Sequence, residues 1–245
     1  MYPPEIQSSN IQYTGHNGDQ VKAYYSRPAA AGNYPGVIVI MEAFGLNDHI
    51  EDIARRFAEN GYLAIAPDMY TREGNPDPND MQSVMGIMFS VPDSQAMGDL
   101  NGAIAHLKGQ GDSNGKVGSI GFCSGGRYSF MLGCNSSTID AVVKSAGGFL
   151  IQDEHTEQRP VSPIDMIPNL SCPLLGLFGE TDGNPSPEHA AQVQAKLDEN
   201  GKNYEFHMYR NAGHAFFADY RDSYHARSAQ DMWHKVLTFY GKHLS

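Results

Sequence analysis

The stretch Lys116-Val-Gly-Ser-Ile-Gly-Phe-Cys-Ser-Gly-Gly-Arg127 sets a thiol between glycines, with Gly121 two residues before Cys123 and Gly125 two residues after it. This is the G-x-S-x-G spacing of a nucleophile elbow, with cysteine in the serine position. The spacing has a steric origin. A tight strand-to-helix turn holds the nucleophile in a strained backbone conformation, so the residues flanking it at two positions' distance need almost no side chain. A thiol placed there also lies at a helix N-terminus, where free N–H groups and the helix dipole favour the thiolate. The chemistry this permits is nucleophilic attack, and it requires a base and a third group that orients the base. Cys134 and Cys172 have no glycine frame and read as small structural residues.

These side chains need elements to carry them. Residues 20–26 have edge-strand character, and residues 36–41 form an unbroken β-branched run of the kind buried on both faces of a parallel sheet. Residues 50–60 read as a helix closed by Gly61, residues 62–66 as a strand stopped by Pro67, and residues 68–80 as a polar loop. Helical patterns cover roughly 81–110, divided at Pro92. A strand over 117–122 followed by a helix over 125–133 supplies the context the elbow requires. Residues 139–145 are a strand, and residues 149–170, with Pro160, Pro163 and Pro168, are an irregular excursion. Strands over 173–179 and 204–209 alternate with helices over 187–200 and 223–244, the last carrying the apolar stripe Trp233, Val236, Leu237 and Tyr240. The alternation predicts one α/β domain over residues 1–245, with a mostly parallel central sheet covered by helices on both faces.

In such sheets, sites assemble at the C-terminal ends of strands. The segment Phe178-Gly-Glu-Thr-Asp182-Gly-Asn follows one late strand, and Asn211-Ala-Gly-His214-Ala-Phe216 follows the last. Among ten histidines only His214 combines a preceding glycine with such a position, which makes it the expected base. Asp182 is the expected acid, with Glu180 its rival two residues earlier. Nucleophile, acid, histidine is also the chain order of hydrolases built on this elbow.

With these segments in hand the chain resembles the dienelactone hydrolase (carboxymethylenebutenolidase) family of α/β-hydrolases over almost its whole length. The likeness is carried by Met41-Glu-Ala-Phe-Gly-Leu-Asn47, Gly61-Tyr-Leu-Ala-Ile-Ala-Pro-Asp-Met-Tyr70, the Gly121-Phe-Cys-Ser-Gly-Gly126 elbow and the Asp182 and His214 segments. The resemblance implies Cys123 as nucleophile, His214 as base and Asp182 as orienting acid. It also gives Glu42 a role: in the family this glutamate contacts the resting nucleophile and moves when substrate arrives, so Cys123 is expected to rest as a thiol. The oxyanion hole of the fold uses the N–H after the nucleophile and one from the loop after the central strand, here Ser124 and Ala43. The best-known members hold a substrate carboxylate with two arginines, one in the helical region after the Asp-Pro loop and one shortly after the histidine. Neither Asp77-Pro-Asn-Asp-Met-Gln-Ser-Val84 nor His214-Ala-Phe-Phe-Ala218 contains arginine. Arg72, Arg127 and Arg221 are the candidates to replace them, although each has an ordinary reading as loop solvation, helix-surface charge or salt bridge. The 149–170 segment, with Asp153, Glu154 and Glu157, points to a different acyl substrate.

A net charge of −11 disfavours nucleic acid and anionic membranes as partners. The three cysteines form neither a disulfide framework nor a zinc spacing, no H-E-x-x-H occurs, and Gly118-Ser-Ile-Gly-Phe-Cys matches no nucleotide loop. No cofactor or metal is implied. No apolar run approaches membrane-spanning length, and Met1-Tyr-Pro-Pro-Glu5 lacks the features of a secretory signal, so a cytoplasmic monomer or small homo-oligomer is expected. The expected function is hydrolysis of a small ester or lactone through an acyl-enzyme. The alternatives are a broader carboxylesterase or acyl transferase on the same triad, or a non-catalytic ligand-binding relative.

Overall fold

The computed structural model describes residues 4–245, and Met1, Tyr2 and Pro3, part of the Met1–Glu5 segment expected to carry no secretory signal, lie outside it. Among the described residues eight strands form one sheet in the order β1-β2-β4-β3-β5-β6-β7-β8. They are β1 (Ile6–Thr14), β2 (Gln20–Pro28), β3 (Tyr34–Ile40), β4 (Leu63–Pro67), β5 (Ser113–Phe122), β6 (Ala141–Ser145), β7 (Leu174–Gly179) and β8 (Tyr204–Tyr209). From β4 to β8 every pairing is parallel, while β1 and β2 run antiparallel. The helices are α1 (Asp48–Glu59), α2 (Met81–Ser90), α3 (Asp93–Lys108), α4 (Ser124–Asn135), α5 (Pro187–Glu199) and α6 (Ala226–His243). Pro92 separates α2 from α3, as its missing N–H and fixed φ require.

Successive residues of β5 show how the helices divide. Gly118 lies against Tyr240 and Leu244 at the end of α6, whereas the Ser119 hydroxyl is 2.8 Å from Ser129 on α4. Since neighbouring residues of a strand point to opposite faces, α4 and α6 cover opposite sides of the sheet. Phe57 of α1 packs on Trp233 and Tyr240 of α6, with ring centroids 4.7 and 5.9 Å apart, and Asn101 of α3 bonds Ser136 after α4 at 2.8 Å. Central strands covered in this way have no exposed face, which explains why Val37, Ile38, Val39 and Ile40 are all fully buried and why the run is not alternating.

Several element ends shift by two or three residues, and two differences in the sheet are larger. Residues 20–26 are not an edge: β1 pairs with β2 along its full length, from Ile6 opposite Pro28 to Thr14 opposite Gln20. Its Gln7-Ser-Ser-Asn10 segment is exposed and polar, so the ladder of backbone hydrogen bonds, not side-chain burial, makes it a strand. β5 also begins four residues earlier than the apolar pattern indicates, because Ser113 pairs with Tyr34 outside the core ahead of an irregularity in the register. The 149–170 excursion is irregular except for a 3-10 segment, Pro163–Asn169. No helix among the described residues is long and apolar enough to cross a membrane.

Candidate active site

Cys123 joins β5 to α4 with φ 54° and ψ −117°, a left-handed conformation that costs a non-glycine residue about 1–3 kcal/mol. The turn is held from both sides. The Cys123 N–H donates to Ser145 O at 3.2 Å, and its carbonyl accepts from Gly126 and Arg127 at 3.0 and 3.3 Å. A Cβ on Gly121 would overlap the carbonyl of Gly125, and one on Gly125 would overlap the carbonyl of Ile40. Both glycines are therefore required by backbone against backbone, the steric condition expected of this turn.

The loops after β7 and β8 are laced together before either side chain is considered. Thr181 donates its N–H and its hydroxyl to Ala212 O, at 2.9 and 3.0 Å. This sets His214 Nδ1 at 2.9 and 3.1 Å from the two oxygens of Asp182, whose side chain is 1 % exposed and whose Oδ1 also accepts the Asn184 N–H at 2.9 Å. Glu180 instead accepts the N–H of Asn211 at 2.9 Å and braces the loop from its exposed side. Burial alone would lower the basicity of His214. Hydrogen bonding to Asp182 and to Cys123 outweighs it and raises the imidazole to about 10. With Nδ1 committed to Asp182, the other ring nitrogen is the one left for the thiol.

Ser124 and Ala43, the expected oxyanion donors, are 4 % and 5 % exposed, and neither backbone N–H donates to another described residue. Tyr70 steadies the Ala43 loop through a 3.1 Å hydrogen bond to its carbonyl, and Tyr70 is itself raised by burial, by Tyr128 and by Cys123 nearby. Glu42 is buried, and its Oε2 accepts from the Tyr220 hydroxyl at 3.0 Å and from Arg221 Nη2 at 3.5 Å. No hydrogen bond joins it to Cys123, so the resting contact that the resemblance implies is replaced by a clamp from the 215–224 loop.

Of the three candidate arginines, only Arg221 borders the site. It lies 4.5 Å over the Phe44 ring and faces a cleft of about 490 Å³ that Phe44, Asn47 and Tyr220 also line. Arg127 is neither a substrate ligand nor a helix-surface charge: it is 1 % exposed, paired through both Nη atoms with Asp93 and bonded to Gln152 and Phe149 O. It docks the 149–170 excursion on α4. Arg72 is likewise taken, by a two-pronged pair with Asp99 at 2.8 and 3.0 Å and by Asp19 at 2.8 Å. Sequence reasoning passed over Arg159, which is 5 % exposed, stacks 4.3 Å over Phe89, donates to Met88 O and leaves its Nε without a partner. The available signal was that Arg159 is the only arginine or lysine in residues 149–170. Beside these cations Ala43, Val84 and Met88 form an apolar wall with Phe44, Met85 and Phe149 against it.

A parallel sheet flanked by helices, with a cysteine elbow facing a histidine and aspartate on the loops after its last strands, defines an α/β-hydrolase acting on ester or lactone bonds. The chain belongs to the dienelactone hydrolase family, whose family model matches residues 21–244. It is 37 % identical over 241 residues to a Salmonella typhimurium protein named "Putative carboxymethylenebutenolidase", covering 96 % of this chain and 88 % of that one. A Bradyrhizobium protein named "Probable 2-oxo-3-(5-oxofuran-2-ylidene)propanoate lactonase" is 30 % identical, over 94 % of this chain and 92 % of its own. The crystal structure described as a putative dienelactone hydrolase from Klebsiella pneumoniae superposes with a TM-score of 0.91 at 34 % identity, covering 98 % of this chain and 100 % of that one.

Proposed function

We propose that this hydrolase opens a small carboxylic ester or lactone through a Cys123-His214-Asp182 triad and an acyl-enzyme. The observation that carries the reading is the meeting of a cysteine in a strained elbow with a histidine raised by a buried aspartate. His214 takes the thiol proton, and Cys123 Sγ attacks the carbonyl carbon. The oxyanion rests on the Ser124 and Ala43 N–H groups, each such donor supplying about 3 kcal/mol. As the tetrahedral intermediate collapses the C–O bond breaks, and His214 returns the proton to the departing alkoxide. A water, deprotonated by His214, then attacks the thioester and releases the acid and the thiol. Glu42 belongs to this site as the carboxylate that Tyr220 and Arg221 hold aside.

A substrate carrying its own anion fits Arg221, the cation at the rim of the cleft. The Bradyrhizobium relative, named for an anionic lactone, supports the same substrate class. We take the enzyme as one domain, working as a monomer or small homo-oligomer in a reducing compartment, a reading supported by its free cysteines.

The test is acid quenching during turnover of an enol-lactone bearing a carboxylate, followed by peptide mass analysis. An acyl adduct on the Cys123 peptide is expected. Turnover with the adduct on another residue would sink the mechanism. Against the uncharged analogue, wild type should favour the charged lactone, and Arg221→Met, which also loosens the hold on Glu42 for both substrates, should raise the ratio of charged to uncharged KM about tenfold. An unchanged ratio would remove Arg221 from the substrate site.

The pH profile follows from His214. The proton that His214 takes from Cys123 is the one it later gives to the leaving group, and with Asp182 and Cys123 raising the imidazole to about 10 the pair keeps that proton through neutrality. The alkaline limb of kcat/KM is therefore expected near pH 10, not near the ordinary histidine value. A fall centred near pH 7 would mean that the Asp182 pairing is not present in solution.

A further inference from the structure

Strand β6 carries a lysine in the interior of the protein that no step above uses. Lys144 is 1 % exposed, its Nζ has no hydrogen-bond partner, and the ammonium rests 4.2 Å from the centroid of the Phe178 ring. An ammonium buried without a hydrogen-bonded counter-ion is costly to the fold. The cavity it faces measures about 10 Å³ and is lined also by Phe178, Asn184, Pro185 and His189. That is the lower limit for a single water, so Lys144 has no room for a ligand of its own.

What it can act on is Asp182. The next residue, Ser145, accepts the Cys123 N–H, and Asp182 lies in the loop after β7, the strand paired with β6. Asp182 is the carboxylate whose charge favours the ammonium, and no ion pair joins them. Of the other elements around Lys144, α5 contributes His189, whose Nδ1 accepts the Ser186 N–H, while β7 and residues 149–151 contribute uncharged side chains.

We propose that Lys144 is a positioning residue for the reaction: its buried ammonium acts on the Asp182 carboxylate and, while charged, weakens the hold of that carboxylate on the His214 imidazolium. This rests on the triad reading above. A cation near Asp182 offsets part of the negative charge that stabilises the imidazolium and repels the imidazolium itself. Burial lowers Lys144 to about 7, with Asp182 opposing the shift, so the charge is present in acid and gone above neutrality. The site is braked below pH 7 and released above it.

The experiment compares wild type, Lys144→Met and Lys144→Arg on an uncharged activated ester from pH 5.5 to 9, about 1.5 to 2 units either side of the expected midpoint. Wild-type kcat should climb about three- to tenfold through a step near pH 7, beyond any step shared by all three proteins, with KM unchanged. Lys144→Met should sit on the upper plateau throughout and Lys144→Arg on the lower. A purely structural role would instead lower kcat equally at every pH. Lys144→Met removes an unpaired ammonium from the interior, so it should fold and melt higher than wild type, most clearly below pH 7, where the wild-type lysine is charged in both folded and unfolded chains. The ¹³Cε resonance of Lys144 in the wild-type protein gives an independent reading, with a midpoint between pH 6 and 8 expected and one above 9 overturning the proposal. A step of the same midpoint in Lys144→Met also overturns it. Cys123→Ala is run alongside: full turnover in that variant defeats the triad reading itself, whereas a dead Cys123→Ala beside an unaltered step in Lys144→Met defeats only the role of Lys144.

Discussion

Cys123→Ala is expected to lower kcat/KM on an activated acetate ester by at least about 10³-fold while leaving the fold intact. The size follows from what is lost. In the proposed mechanism no acyl-enzyme forms without the sulfur, and His214, Asp182 and the two unused N–H groups can then only assist direct attack by water, which retains a small part of the acceleration. The fold survives because alanine is smaller than cysteine and meets the same left-handed backbone, φ 54°, at similar cost. Circular dichroism and a melting curve beside the kinetics separate the two effects. Full activity in the variant would reassign the nucleophile. Cys123→Ser is a milder version: its hydroxyl occupies the same place but is far less acidic than a thiol, so His214 would have to remove the proton completely, and a loss of about 10²-fold or more is expected.

The second large effect is on the backbone of the elbow. Gly121→Ala puts a methyl group into the carbonyl of Gly125 and 2.7 Å from Gly126 N, atoms of the α4 first turn that cannot rotate away. Either the β5 to α4 turn opens or the strand leaves the sheet, and a destabilisation of about 4 kcal/mol or more is expected. For a chain of this size that is a fall in Tm of about 8–16 °C. Gly111→Ala is the control, since a Cβ there meets nothing within 4 Å and its φ is not in the left-handed region. It should change stability by under about 1 kcal/mol. Similar melting of the two variants would show that the elbow is more compliant than its packing implies.

The parallel core was legible because its strands are buried on both faces. Residues 36–41 and 173–179 have nowhere to place a polar side chain, so the burial is written directly into the apolar runs. The same logic hid β1. A strand with one side exposed and stabilised chiefly by main-chain hydrogen bonds to β2 leaves almost no side-chain record, and its absence made β2 look like the edge. The elbow was legible for a different reason, since its glycines are demanded by contacts inside a few residues of chain, and short-range sterics survive in a short motif.

The cations of the site were not legible in this way. Arg72, Arg127, Arg159 and Arg221 are chemically identical in the sequence, and each sits in a loop or near a helix start. Their partners separate them: Asp99 is 27 residues from Arg72, Asp93 is 34 from Arg127, and Glu42 is 179 from Arg221. An arginine's role depends on whether a carboxylate folds against it, and that is set by long-range packing.

The amino-acid sequence by itself determined the parallel α/β sheet, the thiol at its elbow, and the placement of an acid and a histidine after the last two strands, because burial period and turn sterics act locally. Tertiary structure alone decided that Glu42 is clamped by Tyr220 and Arg221, that Arg127 and Arg72 are locked in ion pairs, and that Lys144 is buried without a hydrogen-bond partner over the Phe178 ring. Charge interactions are set by distance and by the exclusion of water, and neither exists until segments far apart in the chain have packed together.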